Sequence, residues 1–187
     1  MVRVIGGTAG GLLLRVPKGE RTRPTADRIK ESLFNILRAV PAGARVLDLF
    51  AGSGALGIEA LSRGAEEATF VEVDPEALRA IRENLAHTGF AGRARVVRAR
   101  LPRAEALAAG GPYDLVFMDP PYDRGLVAPT LAWLAGSGLL APGARLVVEH
   151  SAKEEIPSGL KNVRLLRQER FGETRISFLE YEGCEAR

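Results

Sequence analysis

The tetrapeptide Asp119-Pro120-Pro121-Tyr122 places a carboxylate, two prolines and an aromatic ring in one short run. An ionised Asp119 offers acceptors only. Two successive prolines forbid helix and stiffen the backbone, while the Pro120 carbonyl stays free to accept. Tyr122 supplies a flat face for a planar group. Together these residue types suit the capture of an exocyclic amine on an aromatic base, with acceptors orienting the N–H bonds and the ring holding the base. The plainer reading is a proline-rich turn with a capping Asp. The apolar strand that runs into Asp119 weighs against it.

A second stretch, Arg45 to Gly57, reads R-V-L-D-L-F-A-G-S-G-A-L-G. Val46, Leu47, Leu49 and Phe50 form an apolar run that ends in a small-residue loop and opens into a helical pattern. Strand, glycine turn and helix present backbone N–H groups to a nucleotide-like ligand. Gly52 to Gly57 is literally G-x-G-x-x-G, and Glu72 lies 20 positions beyond Gly52, where an acid can accept from both ribose hydroxyls. That is also the dinucleotide fingerprint. Asp48 argues against it, because a carboxylate just before the loop repels a pyrophosphate and suits an ammonium group. S-adenosylmethionine carries an ammonium, a sulfonium and a ribose diol, and no phosphate.

The surrounding pattern must bring these groups together. Val2–Gly6 and Leu12–Val16 read as short strands of a hairpin about three glycines. A basic connector, Lys18 to Arg23, leads to a helix with Thr25 as N-cap and Asp27 in its first turn. The apolar face of that helix, Ile29, Leu33, Phe34, Ile36, Leu37 and Val40, predicts continuation to Val40, with Pro41 and Gly43 as the stop. Strands at 45–50, 68–73, 94–98, 113–118 and 144–149 then alternate with helices at 55–63, 75–87, 102–109 and 125–135. Asp74-Pro75 is a cap followed by a first-turn proline. Residues 163–170 and 174–182 form a hairpin about Gly172. Repeated βα units predict a parallel sheet whose ligands bind at the carboxyl ends of the strands, and the terminal hairpin requires an antiparallel edge strand. Three loops then face one another: those after Phe50, Val73 and Met118.

Composition narrows the class. The chain has 187 residues, 46% of them hydrophobic, enough for one well-buried α/β domain. Cys184 is the single cysteine, so neither a disulfide framework nor a cysteine metal cluster can form. His87 and His150 have no partners at ligand spacing, and no metal is expected. No signal peptide is apparent, and prolines and glycines break the uncharged run from Leu126 to Ala144, so the expected location is cytoplasmic. Net charge is +3, but residues 1–45 carry nine Lys/Arg against three acids. A basic N-terminal segment on a mildly acidic body suggests a phosphate-rich partner, or simply a basic solvated surface. Arg93, Arg95, Arg98, Arg100 and Arg103 form a second cluster open to the same two readings.

Three sets of residues carry a family resemblance: D-L-F-A-G-S-G at 48–54 with F-V-E at 70–72, D-P-P-Y at 119–122, and V-I-G-G at 4–7 with R-P-T-A-D-R-I-K-E-S-L-F-N-I-L at 23–37. The chain resembles class I S-adenosylmethionine-dependent amino-methyltransferases, and among them the bacterial small-subunit (16S) rRNA guanine-N2 methyltransferases, the RsmD family. The resemblance spans the chain from about Val4 to the final hairpin. It implies a Rossmann-like α/β fold: a mostly parallel seven-stranded sheet with helices on both faces, an antiparallel C-terminal hairpin and a small N-terminal β-hairpin. Residues 1–22 would form the hairpin and connector, and 23–187 the methyltransferase domain.

The resemblance also implies roles. Asp48, Phe50, Gly52, Gly54, Glu72, Val73, Arg100, Leu101 and Asp119 would contact S-adenosylmethionine. Asp119, Pro120 and Tyr122 would hold the target base and carry catalysis. Arg23, Thr25 and Arg28 would close over cofactor or RNA. The family usually has Gly-Asp where this chain has Ala99-Arg100, and Arg100 cannot accept from the adenine amino group. The implied partner is small-subunit rRNA within a ribosomal subunit or assembly intermediate, met by a monomeric enzyme without membrane attachment. Guanine presents adjacent N1–H and N2–H donors, which match the two acceptor oxygens of Asp119. Other readings stay open: a DNA or RNA adenine-N6 or cytosine-N4 methyltransferase, an NAD-dependent oxidoreductase, or a non-catalytic RNA-binding module.

Overall fold

The computed structural model describes residues 2–17, 24–102, 107 and 110–183, and for residues 24–26 the backbone alone. The connector 18–23 with Arg23, most of the helix expected over 102–109, Arg103 and Cys184 lie outside the described residues. The chain forms two compact units that divide after Arg98. The large sheet has seven strands.

The first unit begins with a hairpin shorter than its apolar pattern predicts, β1 (Val2–Arg3) paired antiparallel with β2 (Leu13–Leu14). Helix α1 (Pro24–Leu37) follows. It starts at Pro24, so Thr25 lies inside the first turn rather than at the cap, whereas Asp27 occupies the first turn as expected. The helix ends at Leu37, not Val40. A residue before proline is driven out of the helical region, which excludes Val40 from the helix. Arg38 then takes the left-handed conformation, φ 63°, that closes helix C-termini. Val40 is nonetheless buried.

Strand β3 (Arg45–Leu49), helix α2 (Ala55–Ser62), strand β4 (Glu67–Glu72), helix α3 (Pro75–Thr88) and strand β5 (Ala94–Arg98) complete the unit. The strand order is β5-β4-β3, parallel throughout. Val46, Leu47, Leu49, Phe70 and Val71 are buried on the strands, with Ile58, Leu61, Leu78 and Ile81 on the helices. Each such side chain contributes about 1.5–3 kcal/mol on burial. Asp74 caps α3 by accepting from Ala77 N–H at 2.9 Å, with Pro75 in the first turn.

The second unit holds β6 (Tyr113–Met118), helix α4 (Val127–Gly136), β7 (Leu140–Ser151), β8 (Val163–Phe171) and β9 (Thr174–Tyr181), in the order β6-β7-β9-β8. Strand β7 starts four residues earlier than expected. Its pairing with β6 shifts register between Tyr113 and Leu115, and this irregularity absorbs Pro142 and Gly143. The antiparallel strand is β9, and it is not an edge strand: it runs between β7 and β8. Burial explains the choice, because Ile176, Phe178 and Leu179 of β9 are buried whereas β8 is mostly exposed. The uncharged run from Leu126 to Ala144 divides into α4 and the start of β7. Among the described residues, no helix is long and apolar enough to cross a membrane.

Buried His150 sits on β7 between two hydroxyl-bearing neighbours. Its Nδ1 lies 3.0 Å from the Ser151 carbonyl, which can only accept, so Nδ1 carries the proton. Its Nε2 then accepts from Ser177 Oγ at 2.8 Å. Burial keeps the imidazole pKa below its usual range, consistent with a neutral ring fixed in a structural role.

Candidate functional site

The loop after β3 is shaped by backbone conformation. Phe50 leaves the strand at φ 59°, a left-handed geometry that is strained for a bulky residue, and Gly52 and Gly54 follow at φ 54° and 78°. Gly54 is the N-cap of α2 and has no side chain to satisfy the helix amides. Asp48 supplies that function from the strand below. Its Oδ2 accepts from Gly57 N–H at 2.9 Å. Burial drives the Asp48 carboxyl up to about 8, against the opposing pull of the Gly57 amide, and the charge of Glu72 adds to the rise.

Gly57 is required for this approach. A Cβ there would lie 2.4 Å from Phe70 Cε1 and 3.1 Å from Asp48 Oδ2. Gly57→Ala is therefore expected to destabilise the protein by about 1–3 kcal/mol, the usual cost of overpacking. Urea unfolding checks this; an unchanged midpoint would show that Phe70 can move aside.

Glu72 ends β4 and organises the neighbouring loop. Its Oε2 accepts from Gly52 N–H at 2.9 Å, and its Oε1 accepts from Val73 N–H at 2.6 Å and Asp74 N–H at 3.0 Å. A carboxylate has about four lone-pair sites, so Oε2 keeps capacity for a ligand hydroxyl. Ala51 N–H is bound to the Val71 carbonyl and Gly54 N–H to the Ala51 carbonyl. Three loop amides are thus engaged internally. A loop that cradles phosphates must point such amides at the ligand. With two acidic side chains and committed amides, the loop fits a cation bearing a diol better than a pyrophosphate.

Asn84 holds the loop from behind. Buried on α3, it donates through Nδ2 to the Ser53 carbonyl at 2.9 Å and the Arg15 carbonyl at 2.8 Å, and accepts from Arg15 N–H at 2.8 Å. A polar residue on the apolar face of Leu78, Ile81 and Leu85 is the sequence signal for this, and sequence reasoning passed over it.

In the second unit, Asp119 is exposed just beyond the end of β6, and Pro120 behind it is buried. Tyr122 is half-buried. Its hydroxyl donates to Glu149 Oε1 at 2.8 Å and lies 2.9 Å from Thr174 Oγ1. Burial, then the neighbouring Glu149 charge, raises the phenol pKa, so the ring stays neutral. Burial also raises the Glu149 carboxyl, against the pull of the Tyr122 hydroxyl. Neither Glu149 nor Thr174 stood out in the sequence. An acid interrupting the apolar L-V-V-E-H run was the available cue.

Val73 is exposed and contributes its N–H to Glu72; Arg28 and Arg100 are exposed; Leu101 is buried. The Thr25 side chain and Arg23 lie outside the described residues. Of the arginine cluster, Arg93 donates to the Ala65 and Leu61 carbonyls and stacks on Phe90, with 4.8 Å from its guanidinium carbon to the ring centre. That arginine serves packing.

The family model described as Conserved hypothetical protein 95 matches residues 2–180. Ribosomal RNA small subunit methyltransferase D of Escherichia coli (strain K12) is 41% identical over 182 residues, covering 97% of this chain and 91% of that protein. The putative rRNA methyltransferase YlbH of Bacillus subtilis (strain 168) is 36% identical over 184 residues, covering 97% of this chain and all of that one. A solved structure described as the putative methyltransferase yhhF from Escherichia coli superposes with a TM-score of 0.84 at 41% identity, covering 98% of this chain and 99% of its own. The Rossmann-like fold and the resemblance read from the motifs are both borne out. This chain belongs to the family of ribosomal RNA small subunit methyltransferase D.

Proposed function

We propose that the chain transfers a methyl group from S-adenosylmethionine to the exocyclic N2 amine of a guanine in small-subunit rRNA. The observation that carries this reading is the D-P-P-Y segment: an exposed carboxylate, a buried proline and a ring tethered by its hydroxyl, set at the end of a parallel strand. Asp119 accepts from the N1–H and N2–H edge of guanine, and Tyr122 stacks on the base. Positioning of this kind supplies up to roughly 7–11 kcal/mol of barrier reduction. S-adenosylmethionine brings the electrophilic methyl on its sulfonium. Asp48 and Glu72, with Gly52 and Gly54 shaping the loop, meet its cationic and ribose groups, and Phe50, Val73, Arg100 and Leu101 are the other residues assigned to the cofactor. The N2 edge is accessible only in an unpaired or extruded nucleotide, so the target lies in a loop. Arg23, Thr25 and Arg28 engage the RNA, the chain acts as a monomer in the cytoplasm, and its substrate is a subunit or assembly intermediate.

Mass mapping of small-subunit rRNA with and without the active protein tests the assignment. A new N2-methylguanine supports it; a methylated adenine or cytosine overturns it.

The raised Asp48 carboxyl yields a pH prediction. Its folded value, about 8, exceeds the ordinary 3.8, so the folded chain without ligand holds a proton that the unfolded chain releases. This group's contribution to stability is therefore greatest below about pH 4 and is lost as pH rises through about 8. A cationic ligand favours the ionised carboxylate. Cofactor affinity should rise with pH up to about 8, by at most ~10-fold per unit, with proton release on binding. Calorimetry in buffers of different ionisation enthalpy measures that proton. Asp48→Asn keeps the acceptor for Gly57 and should abolish the slope; an unaltered slope would dissociate Asp48 from the cofactor.

A further inference from the structure

Tyr122 departs from the usual disposition of a partly exposed tyrosine, which keeps its ring against protein and its hydroxyl in water. Here the hydroxyl is turned onto protein groups while the residue retains exposed surface. Both partners come from strands. Met118 pairs with Val148 in the β6–β7 register, so β7 runs on past the end of β6 and presents Glu149 beside the D-P-P-Y segment. Ser151 pairs with Thr174, the residue at which β9 begins.

The bonding has one direction. The phenol has a single proton and gives it to Glu149 Oε1, which leaves the Thr174 hydroxyl to donate to the phenol oxygen. Glu149 can accept from Tyr122 whether or not it is protonated. The tether therefore needs an acceptor oxygen at this position rather than a charge. At its other end, the segment leading to Tyr122 is stiffened by Pro120 and Pro121, each with φ locked near −65°. The ring is thus held at both ends.

We infer that Glu149 is a positioning residue for methyl transfer, with Thr174 as its accessory, and that it sets the plane of the Tyr122 ring and hence of the base stacked upon it. This rests on the reading that Tyr122 holds the target base. Neither residue touches the reacting atoms. Loss of the tether leaves the ring free to rotate about its side-chain bonds, and the acceptor amine loses its line of attack.

The test compares five variants of the full chain on small ribosomal subunits or their rRNA, with S-adenosylmethionine as donor. Glu149→Ala and Tyr122→Phe should each lower kcat by about 10- to 100-fold, the effect of misplacing a reacting group by up to an ångström, with cofactor Kd unchanged. Glu149→Gln keeps the acceptor and should restore kcat to within a few-fold of the parent. The double variant Glu149→Ala/Tyr122→Phe should be no worse than either single one, because both remove the same bond. If Glu149→Ala folds poorly, Glu149→Gln and Tyr122→Phe still decide, since neither empties the strand. A parental kcat in Tyr122→Phe, or additive losses in the double variant, would overturn the inference. Tyr122→Ala separates it from the underlying reading. If that variant retains full kcat, the ring does not hold the base. If it is inactive while Tyr122→Phe is unaffected, the ring matters and the tether does not.

Discussion

Asp119→Ala should lose methyl transfer by at least 10²-fold while binding S-adenosylmethionine with near-parental affinity. The carboxylate stands exposed immediately after β6, on a backbone held by buried Pro120. Its two oxygens can each accept a hydrogen bond, and guanine offers two neighbouring donors on one edge. Removing both acceptors leaves the amine without orientation, and misplacement by ~1 Å alone costs about 10²-fold. Asp119→Asn is the sharper probe. It preserves size and keeps one acceptor, but sets an N–H against a base donor, and mispairing a polar group costs about 1–3 kcal/mol. The alanine variant should therefore be inactive, and the asparagine variant strongly impaired, in single-turnover assays at saturating cofactor. Near-normal turnover of the asparagine variant would remove guanine-edge pairing from the mechanism. A weakened cofactor Kd in both would place Asp119 chiefly on the donor.

The second large effect concerns stability. Glu59 is fully buried in α2, and its carboxylate holds the N-terminal hairpin segment. Its oxygens accept from Ile5 N–H at 2.7 Å, Gly6 N–H at 2.9 Å and Arg63 Nε at 2.7 Å. Lys30 Nζ lies 3.4 Å away and also donates to the Arg3 carbonyl. Burial lowers the Lys30 pKa, and Glu59 pulls it back up. Glu59→Ala strands two backbone amides and a buried ammonium together, and breaking a buried pair from one side costs about 3–5 kcal/mol. For a chain of this size the melting temperature should fall by on the order of 10 °C. Denaturant unfolding checks the free energy directly. A shift below about 1 kcal/mol would show that water reaches the cluster and replaces the carboxylate. Lys30→Met combined with Glu59→Ala should cost less than the sum of the separate changes, since the second substitution removes the charge that the first leaves unpaired.

Much of the site's layout was legible in the sequence because it is locally encoded. The Asp74-Pro75 start, the strands at β3 and β6 and the glycine loop follow from apolar runs, a capping side chain and residues that tolerate positive φ. Where local signals competed, the reading slipped. The apolar face of α1 runs to Val40, yet Pro41 ends the helix at Leu37. Leu140 to Gly143 resembles a loop because of Pro142 and Gly143, yet a register shift takes it into β7.

Partnerships across the chain were beyond that reach. Glu59 meets Ile5 and Gly6 across 54 and 53 positions, Asn84 meets Arg15 across 69, and Tyr122 meets Thr174 across 52. A sequence reports the period and polarity of each segment, and these suffice for elements, faces and the strand ends where a ligand must lie. Which donor finds which acceptor depends on strand register and on how far a strand runs past its neighbour, and both are fixed only when the side chains pack. The sequence alone determined the carboxylate, the prolines, the ring and the acid-flanked glycine loop. The tertiary structure decided that Asp48 caps α2, that the loop amides are engaged internally, and that the Tyr122 ring is held by its hydroxyl. Each of these is a hydrogen bond whose geometry exists only in the packed chain.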